Sequence, residues 1–350
     1  MKNDKKTKGF KLLDIARDGK GISKNAADPG YGLKGFFISY KDGFNKILYA
    51  NIFMVLGNFP ILFLIAAFSG FSQLDAYIPM RDLFQNLSGF FATEPHSPFS
   101  MVLYAVEGMQ SQVLVPTTWT YVMYGVGALT CLIFGCVNVG TAYILRNLAM
   151  HEPVFAWSDF WYAVKRNWRQ ALPFGIIDIL IHAVLAFNIY SMLASHTGFF
   201  TDLFFWSNIV ILLVYFVMRY YIYIQMVTFK LSIMKILKNS FIFVLVGLKR
   251  NVVAFIGIVL CIFLEIALVF GLGGALLPLA VAAPIAVLFS TMSYMKVYAA
   301  YYKIKTVMID PYKEEHPDEF GEEEEVEVIM RDDVTEAERL AEIKKRNGLI

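Results

Sequence analysis

Six stretches of this chain, Leu48–Ser69, Tyr121–Leu145, Ala171–Ser195, Trp206–Thr228, Val252–Leu272 and Leu276–Tyr302, run for twenty or more residues with at most two ionisable side chains each. An α-helix needs that length to cross a hydrocarbon core of about 30 Å at about 1.5 Å per residue. The alternative in lipid is a closed β-barrel, whose strands alternate apolar and polar over roughly ten residues. The run from Ile209 to Val217 does not alternate, so the fold class expected is all-α: a polytopic membrane protein with six transmembrane helices. With 57% hydrophobic and 17% charged residues, the chain also lies far from the roughly 45–50% and 25% of a soluble domain. In the last hairpin, Gly271, Gly273 and Gly274 with Pro278 and Pro284 admit either a tight turn or a broken helix.

Sidedness follows from lysine and arginine, which accumulate in cytoplasmic loops. Six spans place the N-terminal arm, Arg146–Gln170, Phe229–Asn251 and the tail on one side, and nearly all basic residues fall there. The other side receives only Arg81, in the loop 70–120. The expectation is a multi-pass protein of the plasma membrane with both termini cytoplasmic. Its regions are an arm with an interfacial helix over 1–47, a six-helix domain over 48–303 with the long outside loop, and an acidic tail over 304–350. The first apolar run begins near Leu48, so no cleaved signal peptide is expected and the first span serves as its own anchor. Cys131, Cys136 and Cys261 all fall within spans and read as small buried side chains rather than disulfide or metal partners.

Three segments on the basic side lead into spans: Gly35-Phe-Phe-Ile-Ser-Tyr-Lys-Asp-Gly-Phe-Asn45, Ser158-Asp-Phe-Trp-Tyr-Ala-Val-Lys-Arg-Asn167 and Ser240-Phe-Ile-Phe-Val-Leu-Val-Gly-Leu-Lys-Arg-Asn251. Each has aromatics, then lysine, then asparagine, then the span. This pattern reads as three pseudo-repeats, each an interfacial helix followed by a transmembrane hairpin. The asparagine is placed to cap the entering helix. Arg146, Asp159, Phe160, Lys165, Arg166, Asn167, Trp168, Lys249, Arg250 and Asn251 are the candidates for interfacial anchoring or for docking a cytoplasmic partner. In the outside loop, Leu83, Phe84, Leu87, Phe90 and Phe91 share one face of an amphipathic helix expected around Met80–Phe91. The tail carries the acidic run Glu322–Glu325 and a capping-box start at Thr335-Glu-Ala-Glu338.

The sequence shows no phosphate loop, nucleophile elbow, H-E-x-x-H or zinc-spaced cysteine pairs. No enzyme activity, cofactor, metal centre or nucleic-acid partner is expected. A charge at mid-bilayer costs at least about 2.5–3.5 kcal/mol and so should pair, neutralise or face water. Five ionisable groups fall within spans: Asp178, His182, Arg219, Glu265 and Lys296. Asp178, Arg219 and Lys296 lie at similar depth, roughly 9–13 Å in from the basic side, so Asp178 with Arg219 or Lys296 is the natural ion pair. Glu265 lies deeper. A proton relay through Asp178, His182 and Glu265 competes with a purely structural reading of the same groups.

The stretch Gly140-Thr-Ala-Tyr-Ile-Leu-Arg-Asn-Leu-Ala-Met-His-Glu152, followed by Trp157-Ser-Asp-Phe-Trp-Tyr-Ala-Val-Lys-Arg-Asn-Trp-Arg-Gln170, resembles the YesL-like family of bacterial integral membrane proteins. There too a small-residue span ends in arginine, followed by Glu, Asp-Phe and a basic-Asn-aromatic-basic segment. The likeness covers roughly Gly35 to Lys305 and omits the outside loop and tail. That family is chiefly a domain of unknown function found beside carbohydrate-uptake transporters, and it supplies no catalytic residues. The resemblance implies an accessory or regulatory component of solute uptake, with the lipid bilayer and a transporter subunit as partners. A small transporter or channel with polar groups inside its helix bundle is the alternative.

Overall fold

A computed structural model describes residues 30–79, 97–108, 110–194 and 198–315. The helix expected around Met80–Phe91 and the acidic run and short helix of the tail lie outside the described residues. The chain is an all-α polytopic membrane protein: among the described residues five helices are long and apolar enough to cross a membrane, and six if one bent pair counts as a span.

Helix α1 (Leu33–Asp42) stops at Gly43, and α2 (Phe44–Asn58) begins the first span. Pro60 has no N–H to continue the ladder, so α3 (Ile61–Phe68) departs at 48° from α2. In the loop 70–120, β1 (Gln73–Pro79) pairs antiparallel with β2 (Gln110–Pro116), Gln73 opposite Pro116 and Pro79 opposite Gln110. Helix α4 (Pro98–Glu107) lies between them in sequence. The expectation for 70–120, a long loop with one amphipathic helix, did not include this ribbon. Each strand ends in proline, which has no N–H to offer the ladder. Thr117 caps α5 (Thr118–Ala128), and the hydroxyls of Thr117 and Thr120 both donate to the Ser72 carbonyl, at 2.6 and 2.8 Å. The ribbon is thereby fastened to the helix that follows it.

The remaining helices are α6 (Thr130–Ala149), α7 (Ala156–Ala194), α8 (Phe199–Thr228), α9 (Ile233–Val246) and α10 (Leu248–Phe270). A tight 3₁₀ turn at Gly271–Gly274, with Gly274 at φ +89°, returns the chain. The last helical stretch, Leu277–Glu315, comprises α11 (Leu277–Ala283), a π-turn at Pro284–Leu288, α12 (Phe289–Ile304), a second π-turn at Lys305–Ile309 and α13 (Asp310–Glu315). Of the two sequence alternatives, the tight hairpin is the one formed. Pro284 is absorbed by a π-turn rather than by a break.

The interfacial-helix pattern recurs with one difference. At Gly43 (φ −94°, ψ 10°) and Gly247 (φ −92°, ψ 5°) the backbone takes nearly the same conformation, and an interfacial helix gives way to a span. In the middle segment the chain does not turn. Helix α7 continues through Asn167 and Pro173 for 39 residues.

Contacts divide the chain into two units: Met1–Ile52 with Val139–Arg166 and Leu213–Ile350, and Phe53–Asn138 with Asn167–Leu212. In the first, Asn51 is fully buried and answers the π-turn at Pro284. Its amide donates to the carbonyls of Pro284 and Ile285 at 2.9 and 2.7 Å, and its oxygen accepts from the Ser290 N–H at 2.9 Å. A helix that skips a residue frees backbone groups, which in lipid must find partners. One asparagine supplies three of them. In the second unit, α6 and α7 meet at glycine: a Cβ on Gly135 would lie 1.8 Å from the Ala171 carbonyl oxygen, and one on Gly175 would lie 2.5 Å from the Gly135 nitrogen. Backbone contact this close is how membrane helices pack without a hydrophobic driving force.

Candidate functional site

The polar side chains of the first unit collect where α6 ends, α7 begins and α8 ends. Arg146 is only 3% exposed. Its Nε and Nη2 donate to Asn147 Oδ1 at 3.1 and 2.8 Å, and its Nη1 donates to the Val227 carbonyl at 3.1 Å and to Thr228 Oγ1 at 3.3 Å. The guanidinium carbon lies 4.6 Å from the centre of the Tyr143 ring. These hydrogen-bond acceptors are all neutral oxygens, and the Tyr143 ring and the Glu152 carboxylate add favourable electrostatics. Arg166 donates to the same Val227 carbonyl and, at 3.1 Å, to the Tyr162 hydroxyl. Two arginines thus converge on the end of α8.

Beside this clasp, Asp159 Oδ2 accepts from the Phe155 N–H at 2.9 Å and closes the start of α7. Phe160 is buried, and a Cβ on Gly140 would lie 2.4 Å from its ring. Asn251 is buried as well: it accepts from the Tyr221 hydroxyl at 2.6 Å and donates to the Phe243 and Val244 carbonyls at 3.2 Å each. It therefore caps the helix the chain is leaving, α9, not the one it enters. Tyr221 stacks on Phe243 with centroids 5.0 Å apart and planes 8° apart. Arg250 lies 3.5 Å over the Tyr302 ring and donates to the Tyr31 carbonyl at 2.9 Å, while the Tyr298 hydroxyl reaches the carbonyls of Gly30 and Gly32. The N-terminal arm is pinned there to α10 and α12.

Of the ten sequence candidates for anchoring or docking, Arg146, Phe160 and Asn251 are buried and hold helices together. Arg166, Asn167, Asp159 and Arg250 are half-buried, and Lys165, Trp168 and Lys249 are exposed. Tyr31 and Tyr298 were not among the candidates. A lone asparagine or tyrosine inside an apolar run carries no signal of its partner.

The intramembrane groups divide between the units. In the second, Asp178 is fully buried and His182 is half-buried; His182 Nδ1 lies 3.2 Å from Asp178 Oδ1 and 2.7 Å from the Asp178 carbonyl. The i, i+4 spacing brings them together as expected. Asn188 donates to Asn208 at 3.3 Å in the same unit. In the first, Arg219 lies 5.8 Å from the Tyr223 ring, Lys296 Nζ lies 5.6 Å from the Phe216 ring, and Glu265 is half-exposed. Among the described residues no group of three His, Cys, Asp or Glu side chains is placed to hold a metal ion.

The chain matches no protein-family model, no curated protein and no solved structure.

Proposed function

We propose that this protein is an accessory or regulatory component of the bacterial plasma membrane, with both termini in the cytoplasm, associated with solute uptake and in the first instance with carbohydrate uptake. The observation that carries the reading is the division of labour on the basic side. Its buried polar groups, Arg146 and Asn251, are spent on joining helices, while Trp157, Trp161 and Lys165 stand outward on α7. The likeness to the YesL-like family supports the same role. The test is purification from native membranes in mild detergent at native expression level. The expected result is a stoichiometric second polypeptide, released by Lys165→Glu with Lys249→Glu while the spans stay folded. A partner-free oligomer overturns the reading.

A small transporter is the second reading, and the Asp178–His182 pair is what favours it: a wholly buried carboxylate and a half-buried imidazole on one helix face are the parts of a proton path. Asp178→Asn separates the two readings. Under the accessory reading the variant loses folded yield and proteoliposomes show the same proton flux with and without it. Under the transport reading the yield holds and a wild-type flux disappears.

A further inference from the structure

The β1–β2 ribbon has two unlike faces, and the apolar one is uncovered among the described residues. Residues opposite each other in an antiparallel pair share a face, and neighbours along a strand alternate. The register therefore gathers Leu74, Ala76 and Ile78 with Val115, Val113 and Ser111 on one face. Gln73, Asp75 and Tyr77 with Pro116, Leu114 and Gln112 take the other, where the Gln112 amide donates to Asp75 at 2.8 Å. On the apolar face Leu74 is 65%, Ile78 50% and Val115 43% exposed. A two-stranded ribbon is marginal in water until a hydrophobic face is packed. Here the strands are joined through thirty residues rather than a tight turn, which makes closure costlier. The face has to be covered for the ribbon to persist.

Its base fixes where the ribbon lies. Four residues separate the end of α3 from β1, and Thr117 alone separates β2 from α5. The Ser72 carbonyl accepts from Thr117 and Thr120, and the Gln73 amide donates to the Ala67 carbonyl at 3.3 Å. Helices α3 and α5 are themselves in close contact: a Cβ on Gly127 would lie 2.9 Å from the Leu64 nitrogen. The ribbon thus starts level with the ends of two apolar helices, with no slack beneath it. Trp119 and Tyr121 are exposed at that base, beside the exposed Phe68 and Phe71, and tryptophan and tyrosine collect where lipid meets water. Helix α4, in the connection between the strands, has the same character. Its Phe99, Met101, Val102 and Val106 are exposed on opposite sides of ten residues, a pattern suited to an apolar surrounding.

Area separates lipid from protein as the cover. Two strands of seven residues make a face about 10 Å wide and about 23 Å long, roughly 200–250 Å². A stable protein interface needs about 800 Å² from each partner, so a second copy pressed on this face alone would gain too little to offset the cost of association. Lipid asks for no such minimum, because two helices already hold the ribbon at the bilayer and its contact with lipid forfeits no translational freedom. We propose that the ribbon lies flat on the bilayer surface at which α3 ends and α5 begins. Leu74, Ala76, Ile78, Val113 and Val115 enter the boundary between headgroups and acyl chains, the depth reached by other amphipathic surface elements, while Asp75 and Gln112 face water. No ionisable side chain lies on the apolar face, so the partner is lipid of any headgroup charge. Fastened at Ser72, the ribbon is an outrigger for the α3–α5 pair, since interfacial anchors set the tilt and rotation of a span. This inference does not rest on the accessory reading.

The test uses the full chain in phosphatidylcholine nanodiscs. After Cys131→Ala, Cys136→Ala and Cys261→Ala, single nitroxides are attached through Leu74→Cys, Asp75→Cys, Ala76→Cys, Tyr77→Cys and Ile78→Cys. Power saturation then compares oxygen, which concentrates in lipid, with a water-soluble nickel chelate. The expected profile alternates with the two-residue period of the strand, the oxygen-to-nickel ratio changing roughly fivefold between neighbours. Labels at Leu74, Ala76 and Ile78 meet oxygen, and those at Asp75 and Tyr77 meet nickel. The profile is the same at about 0.1 M and about 1 M salt, where the screening length falls from about 10 Å to about 3 Å, because no charge holds the face. The unaltered chain supplies a second measurement that needs no substitution: phosphatidylcholine with a diazirine at the top of its acyl chain is expected to leave adducts on Leu74, Ile78, Val113 and Val115 and none on Asp75 or Gln112. Nickel reaching every label overturns the proposal, since the ribbon then stands in water. Protection of Leu74 and Ile78 from both probes, or dipolar broadening between Ile78→Cys labels of separate copies, overturns it by giving the face to protein. An unaltered chain with no lipid adduct on either strand overturns it as well.

Discussion

Gly135→Ala abolishes accumulation of folded protein, whereas Gly125→Ala, ten residues earlier in the same spanning segment, leaves it intact. The contrast is steric. At Gly135 the added carbon would lie 1.8 Å from the Ala171 carbonyl oxygen and 3.0 Å from the Gly175 Cα. Both neighbours are backbone, so no rotamer change relieves them and α6 must move away from α7. Separation costs the packing of both helices around Gly135 and Gly175, and packing is the principal force between helices in lipid. We expect a loss of at least about 3 kcal/mol, the upper range for overpacking a site that cannot yield. At Gly125 a Cβ meets nothing within 4 Å, and alanine's better helix propensity contributes up to about 1 kcal/mol in its favour. Fluorescence-detected size-exclusion chromatography of both variants, followed by melting curves in one detergent, gives the comparison. Equal monodisperse yields would refute the close approach of α6 and α7.

The spans were legible because lipid leaves the chain so few options. Twenty apolar residues in lipid must be helical, and the runs beginning near Leu48, Tyr121, Ala171, Trp206, Val252 and Leu276 became helices at those places. The Gly43 and Gly247 bends were legible for a related reason: an amphipathic segment and an apolar one cannot share a straight axis and both satisfy their surroundings. Helix α7 escaped that logic. Its first turns bury Phe160 and Ala163 against protein, so they could stay collinear with the span. The β1–β2 ribbon was not legible, because its two seven-residue strands lie thirty residues apart and neither is apolar enough to announce a sheet. The site was least legible. Arginine at the end of a span has the same local pattern whether it snorkels to lipid phosphate or, like Arg146, turns inward onto Asn147, Val227 and Thr228. Only the partners' positions decide, and two of the three, Val227 and Thr228, are more than eighty residues away.

Arg146 is where charge and shape can be told apart. If its role were positive charge on the basic side, Arg146→Lys would behave as wild type, since both residues bias topology equally. The geometry requires a fork instead: Nε and Nη2 close on one asparagine oxygen while Nη1 reaches across to the end of α8. An ammonium is a point charge with a larger hydration cost and does not span those directions. Arg146→Lys is therefore expected to fail nearly as badly as Arg146→Gln. In both variants Asn147, 5% exposed, loses the two donors that satisfy its oxygen. A charged hydrogen bond lost and a buried acceptor stranded cost about 3 kcal/mol together, a fall in melting temperature on the order of 5 °C. Thr228 is partly protected, because its hydroxyl also donates to the Ile224 carbonyl at 2.7 Å, and Val227 keeps Arg166. The double change Arg146→Leu with Asn147→Leu removes the donor and its stranded acceptor at once and should recover part of the loss. Recovery by Arg146→Lys alone would return the residue to the role of a topological charge. Recovery by the leucine pair, with lysine failing, identifies a clasp whose energy lies in the match between one guanidinium and the oxygens of two helices.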